Sequence, residues 1–430
     1  MKIVFLIDRI SHYRSFGPIV DAALGRSWAV ECWHDYSHPR HGLKAYQFPA
    51  IEMAPRFLCG TPQFRQYRGA GDTGALSRLA DSVVMSLQPA EAVLGERRAW
   101  GAARPFWVLV QSGIDQFITY RPESVLSCDA VALTADWWVE WAAEHYAQEG
   151  TLLDRNAFAR ELRERAWIVG FPELDAMSRI DPSEVRARWG LPSDAAVVTL
   201  LPFPQGVGKA SFWPRRIFGE PRRWRQLVHT LPRGRFEYWP YIRHGWTDAR
   251  VVRAIRAFCD RNSARLLVKS RLKTPIPPYT QAVADKCLYD ESHYPPTVLE
   301  ALAVSDLCIS FYSSTVLEAA ALGTPHLCIT FEAEAYCGEN RELLGYFKRF
   351  FNDEEGGVFQ SEGVSSCLGI PEAISDFAVT KLSDFAMSAD ARLRYIRKYL
   401  SYDDRGGAER LLDHVERAVA VDTRLPSCRP

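Results

Sequence analysis

Residues 290–330 read DESHYPPTVLEALAVSDLCISFYSSTVLEAAALGTPHLCIT, and the order of patterns in this stretch decides the fold. Leu299, Leu302 and Ala303 recur at helical spacing, and Leu307 to Tyr312 is an apolar run of strand length. Ser313, Ser314 and Thr315 fall where that strand ends and the next helix begins. A Gly323-Thr-Pro325 turn then leads into a second apolar run, His326 to Phe331. Helix and strand in alternation predict a parallel sheet, because strands running the same way need a crossover between them. A helix N-terminus has unpaired N–H groups that attract anions, and three hydroxyls beside them add donors. Glu318, one turn in, would accept from sugar hydroxyls or help cap the helix. At the carboxyl end of a parallel strand, such a turn predicts a nucleotide or phosphate ligand. A plain N-cap would leave the same trace in the sequence.

Working outward, Ile3–Ile7, Ala29–Trp33, Phe106–Val110, Ala130–Thr134 and Trp167–Gly170 read as strands of the first half. Residues 52–80 read as mostly irregular, with a helix over Leu76–Leu87. A second series covers Ala195–Leu201, Phe236–Tyr241, Arg265–Lys269, Leu307–Tyr312 and His326–Phe331. The 430 residues exceed one ordinary core, so two domains of ~200 residues each are expected. The boundary falls near Ile180–Pro192, a short helix opened by Asp181-Pro182 and closed by Gly190. Lys+Arg and Asp+Glu balance at 52 each, so no global field draws the chain to nucleic acid. Ten cysteines are scattered without a C-x-x-C pair, and they read as reduced, small apolar fillers of a cytoplasmic protein. No window reaches the roughly 18 apolar residues of a membrane span, and the N-terminal apolar run is too short for a signal peptide.

Asp290, Tyr294-Pro295 and the run from Tyr312 to Pro325 resemble the donor end of GT-B glycosyltransferases. The likeness is to the branch of surface-carbohydrate enzymes, CDP-glycerol glycerophosphotransferases and UDP-GlcNAc 2-epimerases. Gly170-Phe-Pro-Glu-Leu-Asp175 resembles the inter-domain turn of the same group; read alone it is a strand-to-helix turn. The resemblance implies an α/β GT-B fold, two Rossmann-like doubly wound domains facing across a cleft. It implies residues 1–178 as the acceptor domain, 179–386 as the nucleotide-donor domain, and helices in 387–430 that cross back to the first. It further implies that Ser313, Ser314 and Thr315 touch donor phosphates, that Glu318 touches ribose, and that Tyr294 also binds the donor nucleotide. The expected activity is metal-independent transfer of a sugar from a nucleotide-sugar to a surface-polysaccharide or lipid-linked acceptor, with no cofactor. A UDP-sugar 2-epimerase, a glycerophosphotransferase and a non-catalytic scaffold are the alternatives. The His-Pro pair usual in glycerophosphotransferases is replaced here by Ser270-Arg271, which argues against that activity.

Other candidates follow from position. Gly206 and Gly208 permit close backbone approach, and Lys209 offers charge to a phosphate, although the spacing is not that of a Walker A loop. Lys269, Arg271 and Lys273 end a strand with three cations. In the first half, His12 and Asp115 are candidate bases for the acceptor hydroxyl, with Asp136 third; Arg14 and Gln111 are candidate acceptor contacts, and Gly17 permits close packing against a ligand. Pro39 prevents His34, His38 and His41 from sharing one helix, so they read as loop residues rather than a metal site. No D-x-D occurs, which speaks against a metal-chelating transferase. Residues 213–225 mix five arginines with aromatic residues, a composition suited to peripheral contact with the inner face of a membrane, or to a solvated loop.

Overall fold

The computed structural model describes residues 1–37, 48–95, 104–113, 117, 119–152, 154–202, 248–270, 276, 278–289, 292–311, 313–330 and 361–421. The chain forms two compact units. One comprises Met1–Arg179, Ser292–Thr297 and Ile396–Pro430; the other comprises Ile180–Glu291 and Val298–Tyr395.

The first unit holds a seven-stranded parallel sheet in the order β3-β2-β1-β4-β5-β6-β7. Its strands are β1 (Lys2–Ile7), β2 (Ala29–Asp35), β3 (Gln63–Tyr67), β4 (Val83–Ser86), β5 (Phe106–Val110), β6 (Ala130–Leu133) and β7 (Ala166–Ile168). The second unit holds a six-stranded parallel sheet in the order β10-β9-β8-β11-β12-β13. Here the strands are β8 (Ala196–Leu200), β9 (Ala264–Lys269), β10 (Lys286–Leu288), β11 (Leu307–Ser310), β12 (His326–Thr330) and β13 (Ser365–Gly369). Both sheets start in the middle, grow to one side, then return and grow to the other. Such sheets bind ligands outside the carboxyl ends of the strands where the direction reverses. That point lies between β1 and β4 in the first unit and between β8 and β11 in the second. The doubly wound α/β units expected from the sequence are present.

Several elements differ from the sequence reading. The helix expected over Leu76–Leu87 is only a short helix Thr73–Leu76 and a 3-10 turn Ser77–Leu79, followed by strand β4. Leu76, Leu79 and Val83 mimic helical spacing, but Val83 to Ser86 is buried at every position in the centre of the sheet, where β-branched residues pack well. Strands β3, β10 and β13 are additions to the sequence reading, and His34 lies in β2 rather than in a loop. The strand expected at Phe236–Tyr241 lies outside the described residues.

Three helices position the core and the site: α1 (Tyr13–Gly25), α2 (Thr315–Leu322) and α3 (Gly407–Val421). Tyr13, Phe16, Ile19, Val20 and Ala23 of α1 share a core with strands β1, β2, β4, β5 and β6, and α3 adds Ala408, Leu411, Leu412 and Val415. Arg26, just past α1, donates to Glu409 (3.0 Å) and Asp413 (2.6 Å) of α3.

The Gly170–Asp175 turn joins these helices. Gly170 has φ of +83°, and a Cβ there would lie 2.9 Å from the Arg410 guanidinium. Arg410 donates to the Val169 carbonyl at 2.9 Å and pairs with Asp404 at 2.7 Å. Pro172 backbone lies so close to Gly407 that a Cβ on Gly407 would approach its nitrogen to 2.9 Å. Asp175 accepts from the backbone N–H groups of Gly407 (3.2 Å) and Ala408 (2.7 Å), satisfying donors that the first turn of α3 leaves open. Asp175 therefore caps a helix far along the chain rather than its own.

Burial pushes the Asp175 carboxyl up to about 6, against the lowering influence of the two N–H donors and Arg410, with Asp404 adding to the rise. A folded-state value above the unfolded one gives stability that is complete below about pH 4 and lost as pH rises through about 6. Asp175→Asn lacks this titration. The melting-temperature advantage of the wild type over this variant should therefore shrink between pH 5 and pH 8; an advantage that grows would reject the assignment.

Candidate functional site

At the reversal point of the first sheet, β1 ends at Ile7 and places Asp8 at the carboxyl edge, while β4 ends at Ser86 and places Gln88 beside it. Asp8 is buried, with one oxygen accepting from the Tyr67 hydroxyl at 3.0 Å and the other from the Gln88 side-chain amide. Gln88 is itself held: its N–H donates to Ser86 Oγ at 2.9 Å, and its carbonyl accepts from Trp107 Nε1 at 2.9 Å. Burial pushes the Asp8 carboxyl up to about 6; Asp35 adds to the rise, while Tyr67, Gln88 and Arg9 oppose it. The Tyr67 phenol is held far above its ordinary range by burial and by Asp8 and Asp35. Burial raises Tyr120 as well, and the Asp8 charge adds to that rise. Asp8 was missed in the sequence, although its place directly after the apolar run Ile3–Ile7 was a usable signal.

His12 lies in the loop between β1 and α1. Its ring packs edge-on to Phe16 at 6.2 Å, and its buried Nδ1 has no hydrogen-bond partner. Burial drives its pKa down to about 3, with Arg9 and His293 adding to the fall and the Leu6 carbonyl opposing it, so the ring is neutral at pH 7. Arg14 donates through Nε at 2.9 Å to the buried Glu173, with a second bond from Nη2. Gln111 is buried and committed to the backbone: it donates to the Gly113 carbonyl at 3.0 Å and accepts from the Thr134 N–H at 3.0 Å. Asp136 is exposed and pairs with Arg163 at 3.6 Å. Asp115 lies outside the described residues.

Tyr294 belongs to the first unit. Its hydroxyl donates to Asp21 at 2.7 Å, the Arg179 guanidinium lies 4.3 Å from its ring centroid, and a Cβ on Gly17 would come within 2.5 Å of the ring. Gly17 thus makes room for Tyr294. His34 is buried; its Nδ1 lies 2.8 Å from the Pro49 carbonyl, so Nδ1 carries the proton and Nε2 accepts from Tyr13 Oη at 2.8 Å. Both ring nitrogens are therefore in use. His38 and His41 lie outside the described residues.

At the reversal point of the second sheet, β11 runs into Ser313, Ser314 and α2. Ser313 Oγ donates to Thr315 Oγ1 at 2.9 Å and accepts from the Thr315 N–H at 3.3 Å. Ser314 is the N-cap residue but makes no side-chain capping bond. Thr315 and Glu318 are buried in the first turn, and Glu318 adds to the burial-driven rise of the Cys308 thiol. Lys269, at the end of β9, is buried, and its ammonium donates to the Ser270 carbonyl at 2.6 Å. Beneath this edge, His326 bridges Ser310 Oγ (2.9 Å) and Ser365 Oγ (2.7 Å). Burial lowers its pKa to about 4. Arg271, Lys273, Gly206, Gly208, Lys209, Asp290 and residues 213–225 lie outside the described residues.

The structure thus gathers Ser313, Ser314, Thr315 and Glu318 at one turn, and His12 and Arg14 on one loop-helix junction. Among the described residues, no three His, Cys, Asp or Glu side chains form a metal-binding group, and no helix is long and apolar enough to cross a membrane.

No family model and no curated protein matches the sequence. Solved structures do match. The H444N variant of the wall teichoic acid polymerase TagF aligns with a TM-score of 0.56 at 10% identity, over 97% of this chain and 88% of that one. A TagF variant soaked with CDPG aligns with a TM-score of 0.52 at 11% identity, over 97% and 88% of the two chains. The UDP-GlcNAc 2-epimerase of Methanocaldococcus jannaschii aligns with a TM-score of 0.51 at 13% identity, over 97% and 100%. These likenesses are of fold: two parallel-stranded α/β units of the GT-B type.

Proposed function

We propose that the protein is a surface-glycan enzyme of the GT-B kind that transfers a sugar from a nucleotide-sugar to a hydroxyl of a polysaccharide or lipid-linked precursor. The observation that carries this reading is the hydroxyl turn Ser313–Thr315 at the reversal point of the second sheet, on the N-terminus of α2. A helix N-terminus with Ser314 uncommitted to capping suits phosphate oxygens. Negative charge grows on the departing nucleotide in the transition state, so fixed dipoles at that end lower the barrier directly. Lys269 at the neighbouring edge would add a cation, and Glu318 would take ribose or sugar hydroxyls. The fold is shared with proteins named for teichoic acid polymerisation and for epimerising UDP-GlcNAc, which supports a nucleotide-linked substrate. No metal or cofactor is invoked.

The test is a nucleotide panel (UDP, GDP, CDP, CMP and dTDP) in thermal-shift assays. A ligand at ~100 times its dissociation constant adds about 2.7 kcal/mol, a rise of a few degrees. One nucleotide should raise the melting temperature, and Ser314→Ala and Lys269→Ala should abolish the rise. No rise with any nucleotide or intact nucleotide-sugar would reject the reading. Conversion of a UDP-sugar without any acceptor would favour epimerisation instead.

A further inference from the structure

We propose that Cys328 and Cys367 form a reversible oxidative modification site, in which peroxide oxidises the exposed Cys367 thiol and Cys328 resolves the product into a disulfide between β12 and β13. Both residues belong to the second unit. The site goes beyond the transferase reading and does not depend on it.

Register brings the two sulfurs together. Strands β12 and β13 run parallel, and their paired residues include His326 with Ser365 and Cys328 with Cys367. Side chains alternate between faces with a period of two, so the two cysteines share the face of His326 and Ser365. On that face the paired side chains meet, with His326 Nδ1 2.7 Å from Ser365 Oγ. One alternation further along, the same register sets Cys328 beside Cys367. Neighbouring strands stand about 4.8 Å apart, inside the roughly 4.4–6.8 Å between Cα atoms that a disulfide spans. Strand β13 is last in the sheet order. A strand held on one side only can make the small shift that bond formation needs.

Exposure assigns the roles. Both residues are thiols; Cys367 is exposed, whereas Cys328 is 4% exposed. Cys367 therefore meets the oxidant, and Cys328 acts once its neighbour has reacted. Burial pushes the thiols of Cys32, Cys128 and Cys259 up to about 12 and that of Cys308 higher still, which keeps them protonated and inert at pH 7. Cys59 is exposed too, but it lies outside the strands, where no register sets a second thiol beside it. The sequence hid this pair: Cys328 reads as a small apolar filler, and β13 is an addition to the sequence reading.

In the first step the Cys367 sulfur bonds to one peroxide oxygen and the O–O bond breaks. The thiol proton leaves with the other oxygen as water, and Cys367 is then a sulfenic acid. The Cys328 sulfur next bonds to the Cys367 sulfur, and the S–O bond breaks. The departing hydroxyl takes the Cys328 proton as a second water. Two thiols thus give up two electrons, and one peroxide becomes two waters. A dithiol reverses the bond by exchange.

The experiment treats the full chain with hydrogen peroxide, blocks the remaining thiols with iodoacetamide and maps unreduced peptides by mass spectrometry. A Cys328–Cys367 crosslink should appear, and dithiothreitol should remove it. The oxidised protein should melt a few degrees higher, roughly what closing a long loop of the unfolded chain supplies. In Cys328→Ala, Cys367 should stop at the sulfenic acid, captured by dimedone, and the melting temperature should not rise. In Cys367→Ser, an exposed and conservative change, Cys328 should remain a thiol. The wild-type map needs no variant, so a misfolded variant leaves the test intact. Oxidation of Cys367 to sulfinic acid in the wild type without a crosslink overturns the proposal. So does a crosslink from Cys367 to any other cysteine, or equal oxidation of Cys328 in Cys367→Ser.

Discussion

Replacing Arg14 with alanine should destabilise the first unit by about 3–5 kcal/mol, because it strands the Glu173 carboxylate without its partner. Glu173 is 5% exposed and receives both Nε and Nη2 of Arg14. The Glu173 side chain is 6% exposed and that of Arg14 30%, so much of the desolvation cost of the carboxylate falls due when the guanidinium goes. The companion variant decides the cause. Arg14→Met with Glu173→Leu removes both charges and keeps apolar volume, and it should recover most of the loss in urea unfolding. If Arg14→Ala leaves stability unchanged and weakens only acceptor binding, the pair is not structural and the acceptor assignment gains. The pair also fixes the first turn of α1 to the Gly170–Asp175 turn, so the rescued double variant should keep nucleotide binding.

Trp107→Ala should cost a similar amount, about 3–5 kcal/mol, for a different reason. The indole is fully buried at 0% exposure in β5, between β4 and β6, and its removal leaves a cavity that a parallel sheet closes poorly. The hydrogen bond from Nε1 to the Gln88 carbonyl goes as well. Trp107→Phe separates the two effects: it keeps much of the apolar bulk and frees the Gln88 carbonyl, so it should cost clearly less than Trp107→Ala, about 1–3 kcal/mol. Equal losses of stability in both variants would show that the cavity contributes little.

The architecture was legible because parallel sheets buried on both faces leave continuous apolar runs, as in Ile3–Ile7 and Leu307–Ser310. What the sequence hid was short or mixed. Strand β3, QFRQY, is an edge strand with polar positions, and β10 has three residues. Strand β4 was hidden by leucines that happened to fall at helical spacing. The turn Ser313–Thr315 could be located because its hydroxyls adjoin a clear strand and helix. Its partners could not be found that way, nor could the clamp on Asp8, since Tyr67 and Gln88 reach it only once the four strands β3-β2-β1-β4 are side by side. The Gly170–Asp175 turn looked local, yet Asp175 serves a helix that begins at Gly407. Long-range capping leaves no spacing in the sequence to read.

Helix α3 completes the core of the unit that contains Met1–Arg179. A ribosome makes the chain from the other end, at about 5–20 residues per second, so on the order of ten seconds or more separates α1 from the helix that packs with it. Throughout that interval, the nascent first half carries an apolar face on α1 with its eventual cover still untranslated. The second unit, drawn from Ile180–Glu291 and Val298–Tyr395, has all its residues before that cover exists. Completion therefore runs opposite to synthesis: the unit translated later can close first, and the half made first lacks part of its core until residues 407–421 emerge. A premature stop near residue 400 would accordingly damage the earliest-made part of the protein while sparing the sheet that carries Ser313–Thr315.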